Sequence, residues 1–111
     1  MIRVHVDRDR ESGAILAFRI DGHALFAEKG KDIVCAGVSA VTVGTVNAVE
    51  SVLGVELDAL MDEGKLHVSV PADIPADRYG SLQLLLESMV VMLQTIEESY
   101  GAHIRIQEHQ L

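Results

Sequence analysis

The sequence predicts an α/β (α+β) two-layer sandwich, a mostly antiparallel five-stranded sheet with two helices on one face, in the order ββαββαβ. Three observations predict it. Short segments alternating apolar with polar residues recur along the chain, and two long segments are apolar at helical spacing or nearly all round. Gly, Pro and Asp punctuate the joints between them. Strands of that alternating kind bury one face only, so helices are needed on one side of the sheet.

The elements follow in order. Ile2, Val4 and Val6 alternate with Arg3, His5 and Asp7, a half-buried strand, and the polar run from Asp7 to Gly13 is a turn. Ala14 to Ile20 is a second strand that pairs with the first as a hairpin. Asp21 to Lys31, with Gly22 and Gly30 near its ends and Glu28, Lys29 and Lys31 inside, is a loop of the kind that carries function on a rigid scaffold. Asp32 opens an apolar segment running to about Leu53, too long for a strand and apolar nearly all round, hence a central helix buried on most sides and ended by Gly54.

Val55, Leu57, Ala59 and Met61 alternate with acidic residues as a third strand, Asp62-Glu63-Gly64 turns, and Leu66, Val68 and Val70 mark a fourth. Pro75 suits a helix start, and Leu82, Leu85, Leu86, Met89, Leu93, Ile96 and Tyr100 recur at helical spacing until Gly101. His103 to Glu108 is a short last strand. The open face of the sheet is expected to be polar, or covered by a partner.

Composition bounds the function. At 111 residues and 49% hydrophobic, the chain fits one domain over residues 1–111 with a packed core, which excludes disorder. One cysteine excludes a disulfide framework and a cysteine-based zinc cluster. A formal charge of −8 argues against nucleic-acid binding, which needs a basic footprint, and suits basic partners. The uncharged stretch Ile33–Val49 carries Ser39, Thr42, Thr45 and Asn47 and falls short of the ~20 residues of a membrane span, so no membrane partner is expected. No signal-peptide pattern opens the sequence, and the cytoplasm is the expected compartment.

Cys35 carries the chemical question. With Asp32 as N-cap it is the third residue of the helix, where backbone N–H groups and the helix dipole favour a thiolate nucleophile. The alternative is a small buried packing residue. His23 lies twelve residues earlier, at the start of the glycine-flanked loop, where a strand end and a helix start can meet; it is the candidate general base, against the alternative of a solvated histidine. Asp32 has two readings, helix cap or a third group orienting His23. Ser39 falls one turn after Cys35, near the site or simply packed, while Gly22 and Gly30 serve unusual backbone angles. His5, His67 and His103 occupy polar strand positions, but three histidines on separate strands are no motif, so neither a metal nor a cofactor is expected.

The segment His23-Ala24-Leu25-Phe26-Ala27, a charged stretch with Gly30, and then Asp32-Ile33-Val34-Cys35-Ala36-Gly37-Val38-Ser39-Ala40 closely resembles the cysteine protease family called Prp. That family reads His-Ala-x-(aromatic)-Ala followed by Asp-Ile-Val-Cys-Ala-x-Val-Ser-Ala; Phe26, where Tyr is common, is a mild departure. The resemblance implies a cytoplasmic bacterial endopeptidase, a homodimer, with Cys35 as nucleophile and His23 as general base. Asp32 and Ser39 match supporting positions, and Gly22 matches a glycine whose flexibility helps the loop admit substrate. The implied substrate is the basic N-terminal peptide of large-subunit ribosomal protein twenty-seven, cut after a hydrophobic segment ending Phe-Phe-Ala. A non-catalytic peptide-binding module with a structural cysteine is the alternative, and a redox-sensing thiol a weaker one for want of a resolving cysteine.

Overall fold

The computed structural model describes residues 1–111. Its elements are β1 (Ile2–Arg8), β2 (Ile15–Asp21), α1 (Ile33–Leu53), β3 (Asp58–Asp62), β4 (Lys65–Ser69), α2 (Ala76–Tyr100) and β5 (Ile104–Gln110), the expected ββαββαβ order. The sheet runs β3-β4-β2-β1-β5 and is mixed: β1 and β5 are parallel, and the other three pairings are antiparallel. Each helix is a crossover between parallel strands that are not neighbours. The β2-α1-β3 unit skips β4, and β4-α2-β5 skips β2 and β1.

The alternation read in the sequence becomes the inner face of the sheet through strand register. Val4 pairs with Ile20 and Ile20 with Leu66; Val6 pairs with Phe18 and Phe18 with Val68; Ile104 lies beside Ile2. These side chains are buried against Leu82, Leu86, Met89 and Leu93 of α2. Leu82, Leu86, Met89 and Leu93 recur at three- and four-residue steps, which keeps them on one helix face and explains why this periodicity was readable. The opposite sheet face carries His5, Arg19 and His67 in register, as its polar pattern requires.

The helix α1 departs from expectation. It packs along α2, but only Val34, Val38, Thr42 and Val49 of its 21 residues are buried, so it is not enclosed on most sides. Val41, Val43 and Val46 are only partly buried against the core, and Ile33 and Val52 are largely exposed. At 21 residues it is long and apolar enough to cross a bilayer by length and composition, which the shorter reading of Ile33–Val49 did not allow. Its ends match expectation: Asp32 caps the start, and Gly54, in the left-handed region at φ 65°, closes the end. Gly101 ends α2 without a left-handed turn, at φ −60°.

Two strands shift. The third covers Asp58–Asp62 and is exposed throughout, whereas Val55 and Leu57, read as part of it, are buried in the approach from α1. Burial of alternate residues therefore signalled packing under the helix end, not ladder pairing. The last strand extends to Gln110 because β1 offers a parallel partner up to Arg8. There Arg8 links three elements, with its guanidinium 2.7 Å from Glu87 of α2 and 2.9 Å from Glu108 of β5.

Candidate active site

The sheet order decides where the site lies. Because β4 pairs with β2, Asp21 sits opposite Lys65, and the chain leaving β2 at Gly22 and His23 meets the turn between β3 and β4. The Gly22 amide donates to the Gly64 carbonyl at 2.9 Å. A Cβ on Gly22, whose φ is +93°, would stand 2.5 Å from the Met1 carbonyl oxygen. That contact requires glycine for a fixed close approach as well as for the angle. At Gly30, φ +87° is the whole reason, since nothing lies within 4 Å of a Cβ there.

Asp32 holds the loop and the helix together. One carboxylate oxygen accepts from the Val34 and Cys35 amides, each at 3.0 Å, and so caps α1. The other accepts from Phe26 at 2.9 Å and Ala27 at 3.3 Å, in the loop. Burial pushes this carboxyl up, but the N–H donors of Cys35, Ala27, Phe26 and Val34 outweigh it together and hold it below the usual carboxylate range. Of the two readings of Asp32, the structure supports the cap: its carboxylate makes no hydrogen bond to His23 and instead clamps the loop onto the helix start.

Cys35 is the third helical residue, as its spacing from Asp32 requires, and it is partly exposed. The Ala24 amide donates to its sulfur at 3.3 Å. His23 is solvent-exposed and lines the same two clefts as Cys35 and Ser39, one of about 200 Å³ towards Met61 and Gly64, the other of about 460 Å³ under the loop. No hydrogen bond joins the imidazole to the thiol in this resting state. Such contacts often tighten only when substrate is bound. The Ser39 side chain is exposed within the cleft and makes no hydrogen bond inside the chain. The structure therefore brings His23, Cys35 and Ser39 to one cleft, with Asp32 at its base and Gly22 behind His23.

The loop between β2 and α1 is folded onto the body. His103 Nδ1 pairs with the Ala24 carbonyl at 2.9 Å. Phe26 stands edge-on to Tyr100 and His103, at 5.5 and 5.3 Å between ring centres. Lys29 reaches Glu63 on the β3–β4 turn at 2.7 Å, a contact that raises the lysine and lowers the glutamate from their ordinary ranges. Leu25, between these anchors, has φ 56° and is 76% exposed. A bulky residue held left-handed stores backbone strain of about 1–2 kcal/mol, and here it lies in the loop that roofs the larger cleft.

The remaining histidines do not converge. His5 pairs with His109 at 2.9 Å, His67 with Asp21 at 3.0 Å, and His103 with the Ala24 carbonyl. No group of three or more metal-ligating side chains forms. Sequence reasoning missed Lys29, Glu63 and Gly64 as parts of the cleft. Asp62-Glu63-Gly64 was legible as a turn, but its place beside His23 depends on β4 choosing β2 as neighbour.

The family model described as cysteine protease Prp matches residues 1–105. The chain belongs to the cysteine protease Prp family. It is 43% identical over 108 residues to the ribosomal processing cysteine protease Prp of Bacillus subtilis (strain 168), covering 96% of each chain. Two crystal structures of the essential ribosomal processing protease Prp from S. aureus superpose with a TM-score of 0.82, each covering 97% of this chain and 99% of theirs. One holds a covalently linked product peptide, at 37% identity, and the other a substrate peptide, at 36%. This Prp family member is a cysteine protease. The non-catalytic and redox alternatives yield to that membership; Cys35 itself is partly buried against the core and partly open to the cleft.

Proposed function

We propose that this chain is a cytoplasmic, homodimeric endopeptidase that removes the N-terminal extension of large-subunit ribosomal protein twenty-seven, cutting after a hydrophobic segment ending Phe-Phe-Ala. The observation that carries the reading is one cleft lined by both His23 and Cys35, in a chain so similar to the Bacillus subtilis ribosomal processing protease. Cys35 attacks the peptide carbonyl as a thiolate and forms an acyl-enzyme. His23 takes the thiol proton, delivers it to the leaving amine, and then activates the water that releases the product.

The Val34 and Cys35 amides at the start of α1 are not free to serve as oxyanion donors, because both already donate to Asp32. The Ala24 amide, 3.3 Å from the sulfur, is the donor best placed for the developing charge. Ser39 supports the site from the cleft wall, and Asp32 does so by fixing Cys35 relative to the loop. A net charge of −8 favours capture of a basic ribosomal tail, the more so at low salt. Exposed Leu25 and Met61 beside the cleft offer apolar surface for the hydrophobic segment.

The test is cleavage of a peptide copying that extension, followed by mass spectrometry beside a peptide of scrambled sequence. One cut after the Phe-Phe-Ala alanine, absent from the scrambled peptide, supports the substrate assignment. Equal cleavage of both peptides, or none of either, overturns it.

A further inference from the structure

We propose that Gly64, in the turn between β3 and β4, is a positioning residue that seats the His23 imidazole. The proposal rests on His23 being the general base. The last paired residues of this hairpin are Asp62 and Lys65, so Glu63 and Gly64 alone make the connection. Gly64 has φ +70°, and its carbonyl accepts the Gly22 amide, which fastens the turn to the residue before His23. The imidazole then lies close against the glycine. A Cβ at position 64 would stand 2.9 Å from His23 Nε2, 3.2 Å from Cε1 and 3.6 Å from Cδ2.

What gives way on substitution follows from the parts in contact. The turn is held by the β3–β4 ladder and, through Lys65 opposite Asp21, by β2. The atom struck is the tip of an exposed side chain with two free torsions. The ring moves and the hairpin stays. A side chain at position 64 therefore leaves the fold in place and takes the base out of its seat, and sub-ångström placement of a base governs its efficiency.

Gly13 supplies the control. It is also left-handed, at φ +76° in the β1–β2 turn, but a Cβ there meets nothing within 4 Å. Gly13→Ala therefore carries the backbone cost without the contact. Gly64→Asn gives the complement, since asparagine tolerates the left-handed region yet still brings the Cβ.

The experiment measures kcat and KM across pH for Gly64→Ala, Gly64→Asn and Gly13→Ala, alongside the His23 ring resonances by NMR, assigned by their loss in His23→Gln. Expected is a fall of about tenfold or more in kcat for both Gly64 variants, with KM within about twofold and a moved basic or acidic limb of the pH profile. Their His23 resonances shift while those of Gly13→Ala stay in place. Unchanged or raised kcat in Gly64→Asn, or an unmoved His23 resonance, overturns the proposal. A wild type that cuts no peptide, with His23 resonances that still shift in both Gly64 variants, defeats the proposed function and leaves the seat standing.

Discussion

The two helices begin in opposite ways. At α1, a single carboxylate, Asp32, accepts two helix amides and two loop amides, and Cys35, the proposed nucleophile, lies in the first turn. At α2, Pro75 precedes the helix and no side chain caps it, although the helix is four residues longer, 25 against 21. Capping strength therefore does not follow helix length. The longer helix is held by its buried stripe of leucines and methionine, whereas the start of α1 is held where the proposed nucleophile meets the loop. The α1 cap serves the site more than the helix.

The largest effect that sharpens this contrast comes from the groups carrying the chemistry. Cys35→Ala is expected to lower kcat/KM by about 10⁴-fold or more, and His23→Ala by about 10³-fold, with melting temperatures close to wild type, measured on the peptide substrate and by calorimetry. Next, Asp32→Ala removes all four acceptances and lowers both melting temperature and kcat/KM, the latter by about 100-fold. Asp32→Asn retains one acceptor oxygen for the helix amides and loses the other for Phe26 and Ala27. It is expected to melt near wild type while kcat/KM still falls about tenfold. Equal activity losses in the two variants would mean that the loop tether alone matters and the cap does not.

Acid provides a reversible version of the same test. Asp32 is held below its ordinary range in the folded chain, with burial opposing and the four N–H donors prevailing. Its contribution is therefore fully present above the unfolded value of about 3.9 and is lost as pH falls through the lower folded value. The melting-temperature gap between wild type and Asp32→Ala should stay constant above pH ~4 and close below it. A gap that closes on raising the pH would contradict the assignment. The smallest effect belongs to the other helix: Pro75→Ala should cost less than about 1 kcal/mol in denaturant melts and leave kcat/KM unchanged.

Legibility differed between regions for physical reasons. Strand and helix positions on the inner face were readable because burial imposes periods of 2 and 3.6, as with Ile2, Val4 and Val6 or Leu82, Leu86 and Met89. The Asp32 cap and the Gly54 end were readable because caps are local chemistry. The exposure of α1 was not, since valine and alanine mark apolar surface without saying which side a neighbour covers. Glu63 and Gly64 were not readable as neighbours of His23, because only the long-range pairing of Asp21 with Lys65 brings them there. Cys35 and His23 stood out through local placement and family resemblance, while their shared cleft needed the fold.

In the proposed reaction Cys35, set by the Asp32 cap in the first turn of α1, forms the covalent bond to substrate. Intact-protein mass spectrometry of wild type, His23→Ala and Cys35→Ala, quenched in acid during turnover of the ribosomal peptide, tests it most directly. Expected is a wild-type adduct whose mass equals the N-terminal product joined through an acyl group, mapped to Cys35 and absent from Cys35→Ala, with far slower formation in His23→Ala. Peptide cleavage by Cys35→Ala at the wild-type rate, or an adduct on any residue other than Cys35, would contradict it.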